Sequence, residues 1–325
     1  MTSFLPEEAR AIRLDRETRA RLAASLAGLA DALAEAGIAC AGLRRVAARV
    51  PAETVSPAVF ALHAGLVDAI LTEDTASAER LLALFERPPP ISAGLRFVTL
   101  DDDLHRMPGL ASLYARLAIE DTEAGVTLAP LAPAELDAAG HRAAAALALL
   151  SEAAPDLAAE LGGLLREVVL VRSGAGSARD FGGASSFHLW GAVILNAERH
   201  TGRVAMVEGL VHEAAHLLLF GEAGGERIVV NSDDERHVSP LRDDARPLDG
   251  IAHATFVLAR MAYALDRLLA SDRLTPEERA EAEAARPRIA LDYRDGAAVI
   301  ARRAELTETG NRMLGAAADY MSRAG

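Results

Sequence analysis

The sequence predicts a mainly α fold of the α+β type, with a helical N-terminal region and a helical metal-binding domain carrying a small β-sheet. Three observations point there. Apolar residues recur at intervals of three and four along most of the chain, as at Leu22, Leu26, Leu29 and Leu33. Two short β-branched runs, Val168-Val169-Leu170-Val171 and Gly191-Ala192-Val193-Ile194-Leu195-Asn196, interrupt that pattern in the middle of the chain. Between the second run and the C-terminus lies His212-Glu213-Ala214-Ala215-His216, embedded in an apolar stretch over residues 204–220 with helical spacing.

Taken in order, residues 7–50 read as helix, with Gly37 as a stop. Two further stripes follow at residues 59–71 and 76–86. The run Arg87-Pro88-Pro89-Pro90 ends the pattern and places a boundary near residue 90. The domains read as 1–90, the N-terminal helical region, and 91–325, the metal-binding catalytic domain. Residues 95–100 suit a short strand, Asp101-Asp102-Asp103 a solvated loop, and residues 133–150 and 155–165 two helices. The two β-branched runs are expected to pair and to flank the metal helix. Gly221-Glu222-Ala223-Gly224-Gly225 stops that helix. Residues 228–231 suit a short strand, and the proline- and charge-rich stretch 239–248 a loop. A long apolar helix runs from Asp249 to about Ala270. Thr275-Pro276-Glu277-Glu278 opens the next, with a break expected near Pro287. Trp190 suits either core or pocket wall, and His63 a packed or half-exposed position.

Bulk properties narrow the function. The net charge of −13 argues against general attraction to nucleic acid. No uninterrupted apolar run of membrane-spanning length is seen, nor an N-terminal signal core. A single cysteine, Cys40, excludes an internal disulfide; it reads as packed rather than reactive, and a cytoplasmic protein is the simplest reading. All 34 basic residues are arginine. A Schiff-base lysine and the phosphate-binding P-loop are therefore both excluded.

The H-E-x-x-H pattern carries the chemistry. Positions four apart on a helix lie one above the other, so His212 and His216 can chelate one transition metal. Glu213 can act on a metal-bound water or support the ligands, and Glu208, four residues before His212, can orient that ring. Imidazole suits zinc and iron alike. A third donor is required, and Glu235, His237, Asp249 and His253 are the candidates. Glu235 falls in an exposed-looking charged loop, whereas His253 lies in an apolar helix, where its ring needs a partner.

The motif at 212–216, together with Ser239-Pro240-Leu241-Arg242-Asp243-Asp244, Arg246-Pro247-Leu248, Gly250-Ile251 and His253-Ala254, resembles the HExxH-type, α-ketoglutarate-dependent peptide β-hydroxylases of ribosomal peptide maturation. The similarity is clearest over residues 204–256 and extends more weakly to residues 59–84. The resemblance implies an Fe(II) site, α-ketoglutarate as cosubstrate, and O2-dependent hydroxylation of a side-chain carbon in a precursor peptide. By position, His212, His216 and His253 would be the metal ligands. Non-heme iron oxygenases in general usually have a carboxylate in their set of three ligands, so Asp249 and Glu213 stand as rivals for the third place. The distal carboxylate of α-ketoglutarate calls for an arginine, and Arg242 and Arg246 are the natural candidates. Two other classes use the same pentapeptide: a zinc metallopeptidase with Glu213 as general base, and a metal-stabilised peptide-binding protein without turnover.

Overall fold

The computed structural model describes residues 4–87, 94–101, 104–119, 125–177, 181–239 and 242–324, and for residues 239 and 242–244 the backbone alone. The proline run at 88–90, Asp102 and Asp103 of the acidic triplet, and Pro240 and Leu241 lie outside the described residues.

Helices dominate. In chain order they are α1 (Glu8–Glu35), α2 (Ala41–Arg49), α3 (Pro57–Leu71), α4 (Thr75–Phe85), α5 (Leu110–Ile119), α6 (Pro133–Ala153), α7 (Pro155–Leu164), α8 (Arg203–Ala223), α9 (Leu248–Ala270), α10 (Pro276–Arg303) and α11 (Glu308–Arg323). The strands are β1 (Arg96–Val98), β2 (Leu128–Pro130), β3 (Glu167–Ser173), β4 (Gly183–Ala184), β5 (Ala192–Asn196), β6 (Arg236–Ser239) and β7 (Arg242–Pro247). Local chemistry sets many of the ends. Ser56 and Asp74 cap α3 and α4 with their side-chain oxygens. Thr275 and Glu278 form a reciprocal capping box at the start of α10. Gly224, at φ 66°, closes α8 in the left-handed conformation that costs glycine nothing.

Two differences from the sequence reading have clear physical reasons. The stretch 239–248, expected as a loop, forms most of the hairpin β6–β7, with Val238 facing Ala245 and His237 facing Arg246. Its charged residues hid the strand pattern. Pro287 does not break α10, which runs through it. One backbone bond is lost there, but the buried face of Ala282, Ala285, Ile289 and Tyr293 and the packing of α10 against α9 keep the helix continuous.

The chain forms two compact units, each discontinuous in sequence: Met1–Ala11, His141–Gly163 and His200–Gly325 make the first, Ile12–Gly140 and Leu164–Arg199 the second. A boundary at residue 90 therefore separates stretches that both belong to the second unit.

The second unit holds the sheet, in the order β1-β3-β5-β4, with β2 also pairing with β3. The two β-branched runs pair as expected, β3 running parallel to β5 with Val169 opposite Ile194. Val168 to Val171 and all of β5 are buried, as parallel strands covered on both faces must be. Trp190 is core: it is 2% exposed and its indole N–H donates to Asp15 Oδ1 at 3.2 Å. Cys40 is packed, its Sγ 3.2 Å from the Ala30 carbonyl oxygen.

A second polar hub in this unit left no sequence signal. Glu167, fully buried, accepts from Ser56 Oγ at 3.1 Å and from Tyr114 Oη at 3.1 Å, and lies 2.8 Å from His105 Nε2. The other nitrogen of His105 sits 3.0 Å from Arg96 Nη1. Because a guanidinium can only donate, His105 Nδ1 must accept, and the imidazole proton lies on Nε2, directed at Glu167.

In the first unit α9 packs against α8, α10 and α11. The N-terminal segment is tied into the same core. Glu160, 1% exposed, binds both Arg10 and Arg260, and Arg260 Nη1 also donates to the Phe4 carbonyl at 2.8 Å. One helix, α8, is long and apolar enough to cross a membrane by length and composition, and 72% of its apolar window is buried inside the fold.

Candidate metal centre

The site is built on α8. Val204, Met206, Val207, Leu210, Val211, Ala214, Leu217 and Leu218 are all buried, so this helix is enclosed on nearly every side. The pair His212 and His216 forms a partly accessible strip in that surface. Their Nε2 atoms face each other at 3.3 Å. Two nitrogens at that separation, each about 2.1 Å from one ion, would subtend about 100° at it, between the octahedral and tetrahedral angles. The geometry therefore suits cis ligands of a single metal. Burial, reinforced by the positive character of His212 and His253, pushes the His216 pKa well below the ordinary histidine range. Its ring is neutral at neutral pH, which leaves a lone pair for a metal.

His253, on α9, joins this pair. Its ring stacks on His216 with centroids 5.7 Å apart and planes 20° from parallel. Phe220, one turn beyond His216, covers both rings, at 6.3 Å from His216 and 5.4 Å from His253. Among the described residues no group of three His, Cys, Asp or Glu side chains converges as a closed metal cluster. The two donors at ligand spacing are His212 and His216; His253 adjoins them by ring stacking.

The other expected residues fall as follows. Glu213 is 4% exposed, with Oε1 3.9 Å from His212 Nε2. The Glu208 pKa is raised, first by burial, and the charges acting on it are Arg288 and Glu281. Glu235 is exposed and accepts from Asn231 Nδ2 at 3.3 Å, in keeping with a solvated loop. His237 lies on β6 opposite Arg246 on β7, and its Nε2 is enclosed without a hydrogen-bond partner among the described residues. Arg246 is half-buried just before α9. Arg242 opens β7, and its side chain lies outside the description. Asp249, in the first turn of α9, was weighed as a ligand; one of its oxygens is already committed, accepting from the backbone N–H groups of Ile228 and Val229 at 3.3 and 3.2 Å.

A cleft of about 790 Å³ opens elsewhere, in the second unit, lined by Leu62, Leu81, Leu84 and Leu113 with Asp68 and Arg116 at its edge. None of the expected metal or cosubstrate residues lines it. Its walls are largely aliphatic. A scan against protein-family models finds no match for this chain, and a search of curated proteins finds none either.

Proposed function

We propose that the chain is an Fe(II)- and α-ketoglutarate-dependent dioxygenase that hydroxylates a side-chain β-carbon of a ribosomally synthesised precursor peptide in the cytoplasm. The observation that carries this reading is the pairing of His212 and His216 through Nε2 at 3.3 Å, with the His253 ring stacked beside them. It joins the resemblance of the 239–254 block to peptide β-hydroxylases. His212, His216 and His253 would hold the iron. When bound with α-ketoglutarate and O2, iron supplies an oxidant able to attack an unactivated C–H bond.

The protein's own residues do the rest. His216 stays unprotonated because its ring is desolvated. Phe220 shields the histidine rings from water. Glu213 is buried with Oε1 3.9 Å from His212 Nε2, where it would support the ligands or orient the substrate. Arg242 and Arg246 precede α9 in β7 and would pair with the distal carboxylate of the cosubstrate.

Anaerobic reconstitution with Fe(II), then α-ketoglutarate, then O2 and peptide tests the reading. It expects succinate and an intact peptide heavier by one oxygen. The buried Glu213 carboxylate next to His212 favours a second reading, a zinc metallopeptidase, and cleaved fragments in the same experiment would establish that one instead.

A further inference from the structure

We propose that the cleft between α3, α4 and α5 binds a linear aliphatic carboxylate, its chain lying along the leucines and its head group meeting Arg80. The inference is independent of the metal-site reading, because every residue it uses belongs to the second unit.

The cleft follows from how three helices are anchored. Both α4 and α5 pack on α3, and a slot of about 790 Å³ is left between them. Each wall is fixed from outside the slot. On α5, Tyr114 donates to Glu167 Oε2, and Ser56, which caps α3, donates to Oε1 of the same carboxylate, each at 3.1 Å. At the end of α4, Glu86 accepts from Gly42 N at 2.6 Å and pairs with Arg45. Anchored this way, the walls cannot close together, and Leu81, Leu84 and Leu113 stay only half-buried. A concave, mostly aliphatic surface with a few polar groups is what small-molecule sites look like, and the volume falls within their usual range of about 300–1,000 Å³.

Polarity is graded along the slot. Gly65 of α3 lies between the walls: a Cβ there would be 3.1 Å from Leu113 Cδ1 and 3.4 Å from Leu81 Cδ1. One turn further on, Asp68 of α3 pairs with Arg116 of α5 at 2.9 Å, so α5 runs in the direction of α3. After the turn at residues 72–74, α4 runs back the other way. Leu62, Leu84 and Leu110 therefore gather toward one end, and Thr72, Asp74 and Ser77 toward the other.

The two acids at the polar end are committed. Asp68 pairs with Arg116, and Asp74 caps α4, accepting from Ser77 N at 3.0 Å. Arg80 differs: it donates to Ser77 Oγ at 2.8 Å and forms no ion pair among the described residues. A carboxylate matches the planar fork of its guanidinium. The pinch above Gly65 sets the shape of the rest. Leu81 and Leu113 reach from opposite walls to one point over the floor, which leaves no room there for a helix about 10–12 Å across, but does admit a hydrocarbon chain. Among the described residues no aromatic ring lines the slot, so a planar aromatic ligand would find nothing to stack on.

Dodecanoate, kept below its micelle-forming concentration at pH 8, is the probe, with dodecanol as its uncharged counterpart. Calorimetry should show one dodecanoate per chain, and 1H–15N spectra should place the shifts at the amides of Ala69, Leu84 and Leu113. Arg80 is exposed, so Arg80→Ala should fold normally; it should weaken dodecanoate about 3–10-fold and leave dodecanol unchanged, as expected for a solvent-screened ion pair. Added salt should weaken dodecanoate alone. Leu84→Trp, which fills the apolar end, should abolish both; should it fail to fold, the wild-type shifts stand in its place. Absence of dodecanoate binding, shifts elsewhere in the protein, or binding that is unaltered in Arg80→Ala and by salt overturns the proposal. So does an amphipathic helical peptide that binds the slot where dodecanoate does not, which would make it a groove for a protein partner.

Discussion

Tyr114 donates its hydroxyl to Glu167 Oε2 across 3.1 Å, and neither side chain exposes any surface to water. Burial and the neighbouring carboxylate raise the Tyr114 pKa well above the ordinary phenol range, so the hydroxyl is always the donor. The same carboxylate serves Ser56 at the start of α3 and His105 in the turn before α5. His105 and Arg106 both have left-handed backbones, at φ 53° and 55°, which non-glycine residues adopt only when side chains hold them there.

Removing the hub should therefore cost more than removing one spoke. Glu167→Ala leaves three buried donors unpaired and should lower stability by about 3–5 kcal/mol. Tyr114→Phe leaves the carboxylate with its other partners and should cost about 1–3 kcal/mol. Urea unfolding measures both, and equal losses in the two variants would contradict the hub.

His63 should make the protein acid-sensitive. Its pKa is lowered to about 4, first by burial and then by His188, and its Nε2 lies 2.8 Å from Ser25 Oγ. An unfolded histidine titrates near 6.5. The folded state thus disfavours the charged form: the stability held above pH 6.5 is lost progressively as pH falls from about 6.5 to about 4. His63→Gln, which takes no charge and can still bond Ser25, should flatten the pH dependence of Tm in that window. An unchanged profile would show that other groups set it.

Glu213 separates the two hydrolytic and oxidative readings. As general base of a peptidase it must take a proton from water, and Glu213→Gln should lose roughly 100–10,000-fold in rate while keeping the metal. As a group that supports ligands or substrate in an oxygenase, the same change should reduce hydroxylation by only about 10–100-fold. Product masses and metal content, measured side by side, read out the difference.

The arginines of β7 should matter to the cosubstrate alone. Arg246→Ala or Arg242→Ala should weaken α-ketoglutarate binding, read as a rise in its KM, with iron content retained. If neither variant shifts that constant, the distal carboxylate is held by other residues.

Much of the fold could be read from the chain because its local signals agree. The stripe at Leu22, Leu26, Leu29 and Leu33 became α1, Thr275 and Glu278 became a cap, and Gly224 became a stop. The meeting of His212 and His216 was equally legible, since spacing on one helix determines which side chains meet. Other features depend on partners far away in sequence. Glu167 meets Ser56 across 111 residues, and Asp249 meets the 228–229 backbone through a strap completed near residue 305. No local pattern announces such contacts. The hairpin β6–β7 was missed for a different reason: its strands carry charges on successive positions, so the alternation that marks a strand is absent.

The discontinuous make-up of the two units sets an order of events during synthesis. Every residue of the second unit precedes position 200, whereas the first needs residues up to the C-terminal helix. The sheet around β3 and β5 can therefore close before α8 has left the ribosome, and His253 emerges later still. A metal ion would meet a half-made set of donors until α9 docks on α8. Loading of the proposed centre would accordingly be a late step, and chains stalled on the ribosome before α9 has emerged should already protect β5 from hydrogen exchange.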